Sequence, residues 1–110
     1  MLFTKQGNRA ILFVRIITLR TLKKFWQEKP EAEKAIRAWH AEVKAANWQR
    51  PADIKAQYRS ASIFQNSRVV FNICGNKYRL IVHINYKISI IYIRFIGTHK
   101  EYDAINAEEI

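Results

Sequence analysis

The stretch VVFNICGNKYRLIVHINYKISIIYIRFIG, residues 69–97, decides the fold of this chain. It holds three runs rich in Val, Ile, Tyr and Phe, at 69–74, 78–86 and 88–96, each with the period-two alternation of a strand. Gly75-Asn76 between the first two is a pair that accepts positive φ, so the second run returns as a hairpin partner of the first. The third run follows at once, and the three make an antiparallel meander. Side-chain parity assigns the faces. Tyr78, Leu80, Val82, Ile84 and Tyr86 form an apolar face that needs cover from helices. Lys77, Arg79, Ile81, His83 and Asn85 form the other. Tyr92 shares a face with Arg94, and Asn72 with Val70 and Cys74, which gives the sheet a basic, helix-free side. Gly97 ends the meander. Thr98 followed by Glu101 has capping-box spacing and starts a short helix over 99–105.

Upstream the period changes. Residues 1–10 read as a lead-in and 11–17 as a first strand. Thr18 is placed to cap a helix running to Lys29, with Leu19, Leu22, Phe25 and Trp26 on one face. Pro30 stops it and opens a second helix over 31–46, with Ala35, Ile36, Trp39, Val43 and Ala46 at helical spacing. Pro51 opens a third, short helix to Tyr58, with Trp48 beneath it. The fold class is therefore α/β, of the α+β kind. An N-terminal strand and a helical hairpin pack on an antiparallel sheet of three to four strands, and a short helix follows.

Charge is distributed unevenly over this plan. Residues 54–100 contain no Asp or Glu, yet carry Lys55, Arg59, Arg68, Lys77, Arg79, Lys87, Arg94 and Lys100. A sheet without internal counter-charges projects its field outward, and the formal charge of +10 points to a phosphate-bearing partner. At 110 residues and 49% hydrophobic content, the chain is one globular domain rather than a disordered basic tail. The single cysteine, Cys74, rules out an internal disulfide, and a buried, inert thiol is its expected state. The apolar run at 11–17 is short and broken by Arg15, so neither a signal peptide nor a membrane span is expected, and the chain reads as cytoplasmic. No His, Cys and carboxylate cluster has metal-ligand spacing, and three glycines are too few for a phosphate-cradling loop. Neither metal nor cofactor is expected.

The candidate chemistry lies at Arg79, His99 and Tyr102. An arginine grips phosphate in two places and stabilises a pentacovalent phosphorus. A histidine near neutral pKa moves protons at physiological pH. His99 and Tyr102 are three apart, which puts them on one side of a helical turn that follows the strand beside Arg79. Such a set suffices for metal-free RNA cleavage by the ribose 2′-hydroxyl. Lys55, Asn72, Lys77, Arg94 and Lys100 are candidate substrate contacts. The plainer reading of a histidine at a helix start is a cap, and of a tyrosine there a packing residue. Asp103, four residues after His99, fits either a partner for it or a surface contact.

The runs at 69–80 and 92–103, with Ala52-Asp53-Ile54-Lys55 and Trp39 and Trp48 upstream, resemble the HigB family of toxins within the RelE-like superfamily. The resemblance covers residues 13–105, so 1–12 read as an extension and 13–110 as the toxin domain. It implies a compact α/β fold and endonucleolytic cleavage of mRNA, commonly on translating ribosomes. It also implies inhibition by a cognate helix-turn-helix antitoxin (HigA-like), with no DNA binding by the toxin alone. By similarity, Arg79 falls at the phosphate-binding arginine of the Tyr-Arg-Leu strand, and His99 and Tyr102 on the segment supplying the remaining catalytic groups. The chain has His99 where RelE relies on lysines and arginines. Two other readings follow from the same fold: an RNA- or ribosome-binding module in which Tyr58, Tyr92 or Tyr102 stack on bases, and a ParE-like toxin that binds gyrase.

Overall fold

A computed structural model describes residues 14–110. Strand β1 (Arg15–Ile17) leads into helix α1 (Leu19–Glu28), a 3-10 turn at Pro30–Ala32, α2 (Glu33–Lys44) and α3 (Pro51–Gln57). Four strands follow, β2 (Ser62–Phe64), β3 (Arg68–Ile73), β4 (Tyr78–Asn85) and β5 (Ile90–Thr98), and then α4 (His99–Asp103). The sheet has five strands in the order β1-β5-β4-β3-β2. The meander of β3, β4 and β5 is antiparallel as the sequence implies, but each edge gains a strand. β1 pairs parallel with β5, and the unforeseen β2 pairs antiparallel with β3. Residues 11–13 of the expected first strand lie outside the described residues.

The helical layer covers the face predicted for it. Leu22, Ile36, Trp39, Val43 and Ile54 pack on Phe71, Ile73, Tyr78, Leu80, Val82 and Ile84 in one continuous core. Phe71 sits at its aromatic centre, 5.4 Å from Trp39, 6.0 Å from Trp48 and 5.1 Å from Tyr58, ring centre to ring centre. Trp48 is tied to α3 by a 3.0 Å hydrogen bond donated to Gln57. Tyr58 is thus a core ring whose hydroxyl binds Glu42, and it is not a free stacking platform. Burial raises its pKa above the ordinary phenol value, and the Glu42 hydrogen bond adds to this.

Three local expectations are corrected. Thr18 does not cap α1: it sits in the left-handed region (φ 75°) and its side chain makes no cap hydrogen bond. The β3–β4 loop is longer than a two-residue turn. Ile73 pairs with Tyr78, and positive φ falls on Cys74 (56°) and Gly75 (66°) rather than on Gly75-Asn76. That twist turns Cys74 toward Glu31 in the helical layer, off the face of Asn72 and Val70, where it is only half-buried. Finally, the opposite side of the sheet is not helix-free. α4 and residues 104–110 fold across it and bury Val70, Ile81 and Ala107 in a second, small apolar cluster.

Candidate functional site

Arg79 lies on the central strand of the meander, and cross-strand register decides what surrounds it. Asn72 of β3 is directly opposite on one side and Gly97 of β5 on the other. The Arg79 guanidinium donates through Nη1 to the Asn76 carbonyl at 2.9 Å and the Tyr78 carbonyl at 3.4 Å, both at the hairpin end. These bonds fix the fork while, among the described residues, Nε and Nη2 keep no protein partner. A guanidinium held by one nitrogen with the others outward is arranged to receive an anion.

The end of β5 brings the second half of the site. Glu101 N donates to the Thr98 hydroxyl at 3.1 Å and Thr98 N donates to Glu101 Oε1 at 2.8 Å, a complete capping box. It starts α4 over Gly97, where a Cβ would meet the Phe95 ring at 2.6 Å and Glu101 Oε1 at 2.7 Å. Glycine is required here for close approach. α4 then carries Tyr102 to 5.9 Å from the Arg79 guanidinium and His99 to 6.4 Å from the Tyr102 ring. His99 Nδ1 lies 3.1 Å from Asp103 Oδ2, which leaves Nε2 facing away from the carboxylate. The structure therefore brings Arg79, Tyr102 and His99 into one group, with Asn72 beside it and the exposed Lys100 on the same helix.

The remaining candidates lie elsewhere. Lys77 belongs to the loop before β4, so strand parity does not govern it. Its Nζ reaches Glu31 at 3.3 Å in the helical layer, where Glu31 also accepts from the Tyr78 hydroxyl. The Tyr78 hydrogen bond, before the Lys77 contact, holds the Glu31 carboxyl down to about 2. Lys55 closes the α3–β2 loop, donating to the carbonyls of Arg59 (2.7 Å) and Ala61 (2.6 Å). Arg94 is on the Arg79 side of the sheet but in the middle of β5, where Nε donates to the Ile110 main-chain oxygen at 3.3 Å.

Residues 32–105 match the family described as HigB_toxin, the RelE-like toxic component of a toxin–antitoxin system. The chain belongs to the HigB toxin family. It is 28% identical over 96 residues to the mRNA interferase toxin HigB of Escherichia coli (strain K12), a span covering 86% of this chain and 92% of that protein. The same figures hold for the mRNA interferases HigB of Escherichia coli O157:H7 and Shigella flexneri. As a HigB-family toxin, the chain implies a cognate antitoxin as its partner. No helix among the described residues is long and apolar enough to cross a membrane. No three His, Cys, Asp or Glu side chains among them group as a metal-ligand set.

Sequence reasoning missed two features of this HigB-family site. Gly97 reads as a strand stop, yet it pairs with Arg79 inside the sheet, and only the Thr98 capping box beside it hints at that role. Phe95 reads as inward-facing, but an irregularity opposite Ile81 and Val82 leaves Arg94 unpaired and turns Phe95 to the Arg79 side.

Proposed function

We propose that this toxin is an endoribonuclease that cuts mRNA at the Arg79–Tyr102–His99 group, using the ribose 2′-oxygen as nucleophile. The Tyr102 ring, 5.9 Å from the Arg79 guanidinium and 6.4 Å from the His99 ring, carries this reading. Its relatives' name, mRNA interferase, supports the substrate. The 2′-oxygen attacks the adjacent phosphorus as its proton is taken up. The P–O5′ bond breaks, the 5′-oxygen receives a proton, and a 2′,3′-cyclic phosphate remains. Arg79 grips the non-bridging oxygens through Nε and Nη2 and stabilises the added negative charge, a contribution of about 2.7–4 kcal/mol in comparable sites. His99 and Tyr102 supply the two proton transfers, and Asp103 holds the imidazole in orientation. Asn72 and Lys100 contact the flanking phosphates.

Metal-free chemistry is favoured by the acid-free sequence at 54–100, because two-metal nucleases need converging carboxylates. The ribosome is the proposed setting. A shallow site gains most of its rate when an external scaffold holds the RNA in line, since phosphoryl transfer depends chiefly on positioning. The test is to express wild type, Arg79→Ala and His99→Ala in growing cells and map mRNA 5′ ends. New 5′-hydroxyl ends with wild type, lost in both variants, are the expected result. Growth arrest with unchanged cleavage in both variants would refute it. DNA breaks without mRNA loss would instead support a gyrase-directed toxin.

A further inference from the structure

The Arg79 side of the sheet carries a second cationic cluster. Arg68, His83 and Tyr92 are direct neighbours across β3, β4 and β5, and the unpaired Arg94 stands beside them. The His83 and Tyr92 rings lie 5.8 Å apart at an angle of 33°, a broad aromatic surface only partly covered. Arg68 is fully engaged: Nε and Nη2 donate to the Ile110 carbonyl at 3.1 and 2.8 Å, and Nη1 to the Asn66 carbonyl at 2.8 Å. Arg94 is exposed and uses only Nε, so its terminal nitrogens are available among the described residues. Four residues of β4 separate His83 from Arg79, about 13 Å at strand rise. Between them runs the apolar seam of Val70, Ile81 and Ala107.

We infer that this cluster is a second RNA subsite, in which Tyr92 and His83 stack on a base and Arg94 binds a phosphate a few nucleotides from the scissile linkage. The inference rests on the proposed RNA cleavage and adds where the rest of the strand goes. Aromatic faces beside an arginine are the arrangement that holds single-stranded RNA without reading its sequence. Burial, and then the charges of Arg68 and Arg94, hold His83 below the ordinary imidazole range, so it meets a base as a neutral ring at pH 7. Arg68, anchored to the main-chain oxygens of Ile110 and Asn66, lies directly across from His83. The second subsite lies about 13 Å along β4 from Arg79, so it adds most to the binding of longer strands.

The experiment measures low-salt binding of the full chain to 2′-O-methylated RNA, which resists 2′-oxygen attack, as a trimer and an octamer. Tyr92→Ala is expected to weaken octamer binding about tenfold, the scale of one lost base stack, with trimer binding unchanged. Tyr92→Phe should restore it. Arg94→Ala, at an exposed position, should lower the salt slope of octamer binding by about 0.7, the value for one phosphate on single strands. Equal losses for trimer and octamer, unaltered octamer binding in both Ala variants, or no octamer binding by wild type would overturn the subsite. Absence of mRNA cleavage by wild type, alongside a Tyr92→Ala loss specific to the octamer, would remove the cleavage reading and leave RNA binding at this subsite standing.

Discussion

The two faces of the sheet are built on opposite terms. The helical face buries Trp39, Phe71 and Tyr78 in a continuous core, where the Tyr78 and Tyr58 hydroxyls meet the carboxylates of Glu31 and Glu42. The other face has a smaller cluster around Val70, Ile81 and Ala107, and on its two sides Arg79 and Arg94 each bond the main chain through a single nitrogen among the described residues. The difference separates the face that holds the fold together from the face proposed to act on RNA. Substitutions on the first face should be read in folding, and substitutions on the second in RNA chemistry.

The largest effect should come from the helical face. Phe71→Ala removes the ring around which Trp39, Trp48 and Tyr58 pack, and should cost about 3–5 kcal/mol in urea denaturation. On the opposite face, Arg79→Ala should reduce mRNA cleavage by about a hundred- to a thousandfold. Its unfolding midpoint should stay within about 0.5 kcal/mol of wild type. A destabilisation approaching that of Phe71→Ala would erase the division between faces. Thr98→Ala tests where the two meet. It removes half of the capping box and should cost about 1 kcal/mol. Because α4 carries His99 and Tyr102, its cleavage rate should fall by more than that stability loss accounts for.

The smallest effect concerns pH. Glu31 is held at about 2 in the fold against an ordinary value of 4.5, so its contribution is complete above pH 4.5. It is lost as pH falls through 2. Glu31→Gln should therefore flatten the acid limb of the stability curve between those values, measured as urea midpoints, and leave cleavage at pH 7 intact. A change in cleavage would place the Glu31, Lys77 and Tyr78 group in the site rather than in the scaffold.

Local chemistry made much of this legible. The runs around 69–97 alternate well enough that the meander and the faces of β3 and β4 can be read directly, and Thr98 with Glu101 announces α4. Because β5 continues into α4 beside the strand of Arg79, chain order alone brought Tyr102 to the guanidinium, with His99 next to the Tyr102 ring. What could not be read depends on distant partners. Ser62–Phe64 is too short to stand out and becomes a strand only through the edge of β3. The parallel seat of Arg15–Ile17 against β5 has no local signal. Lys77 escaped strand parity because the loop begins at Cys74. The apolar seam needed residues 104–110 to return over the sheet, and no periodicity in that short polar segment encodes this.

The irregularity in β5 has a genetic consequence. Ile93 pairs with Val82 and Phe95 with the adjacent Ile81, so Arg94 is the supernumerary position of the ladder. Deleting its codon would join two residues already in phase, keep Ile93 and Phe95 on their present faces and preserve the alignment of everything downstream through His99 and Tyr102.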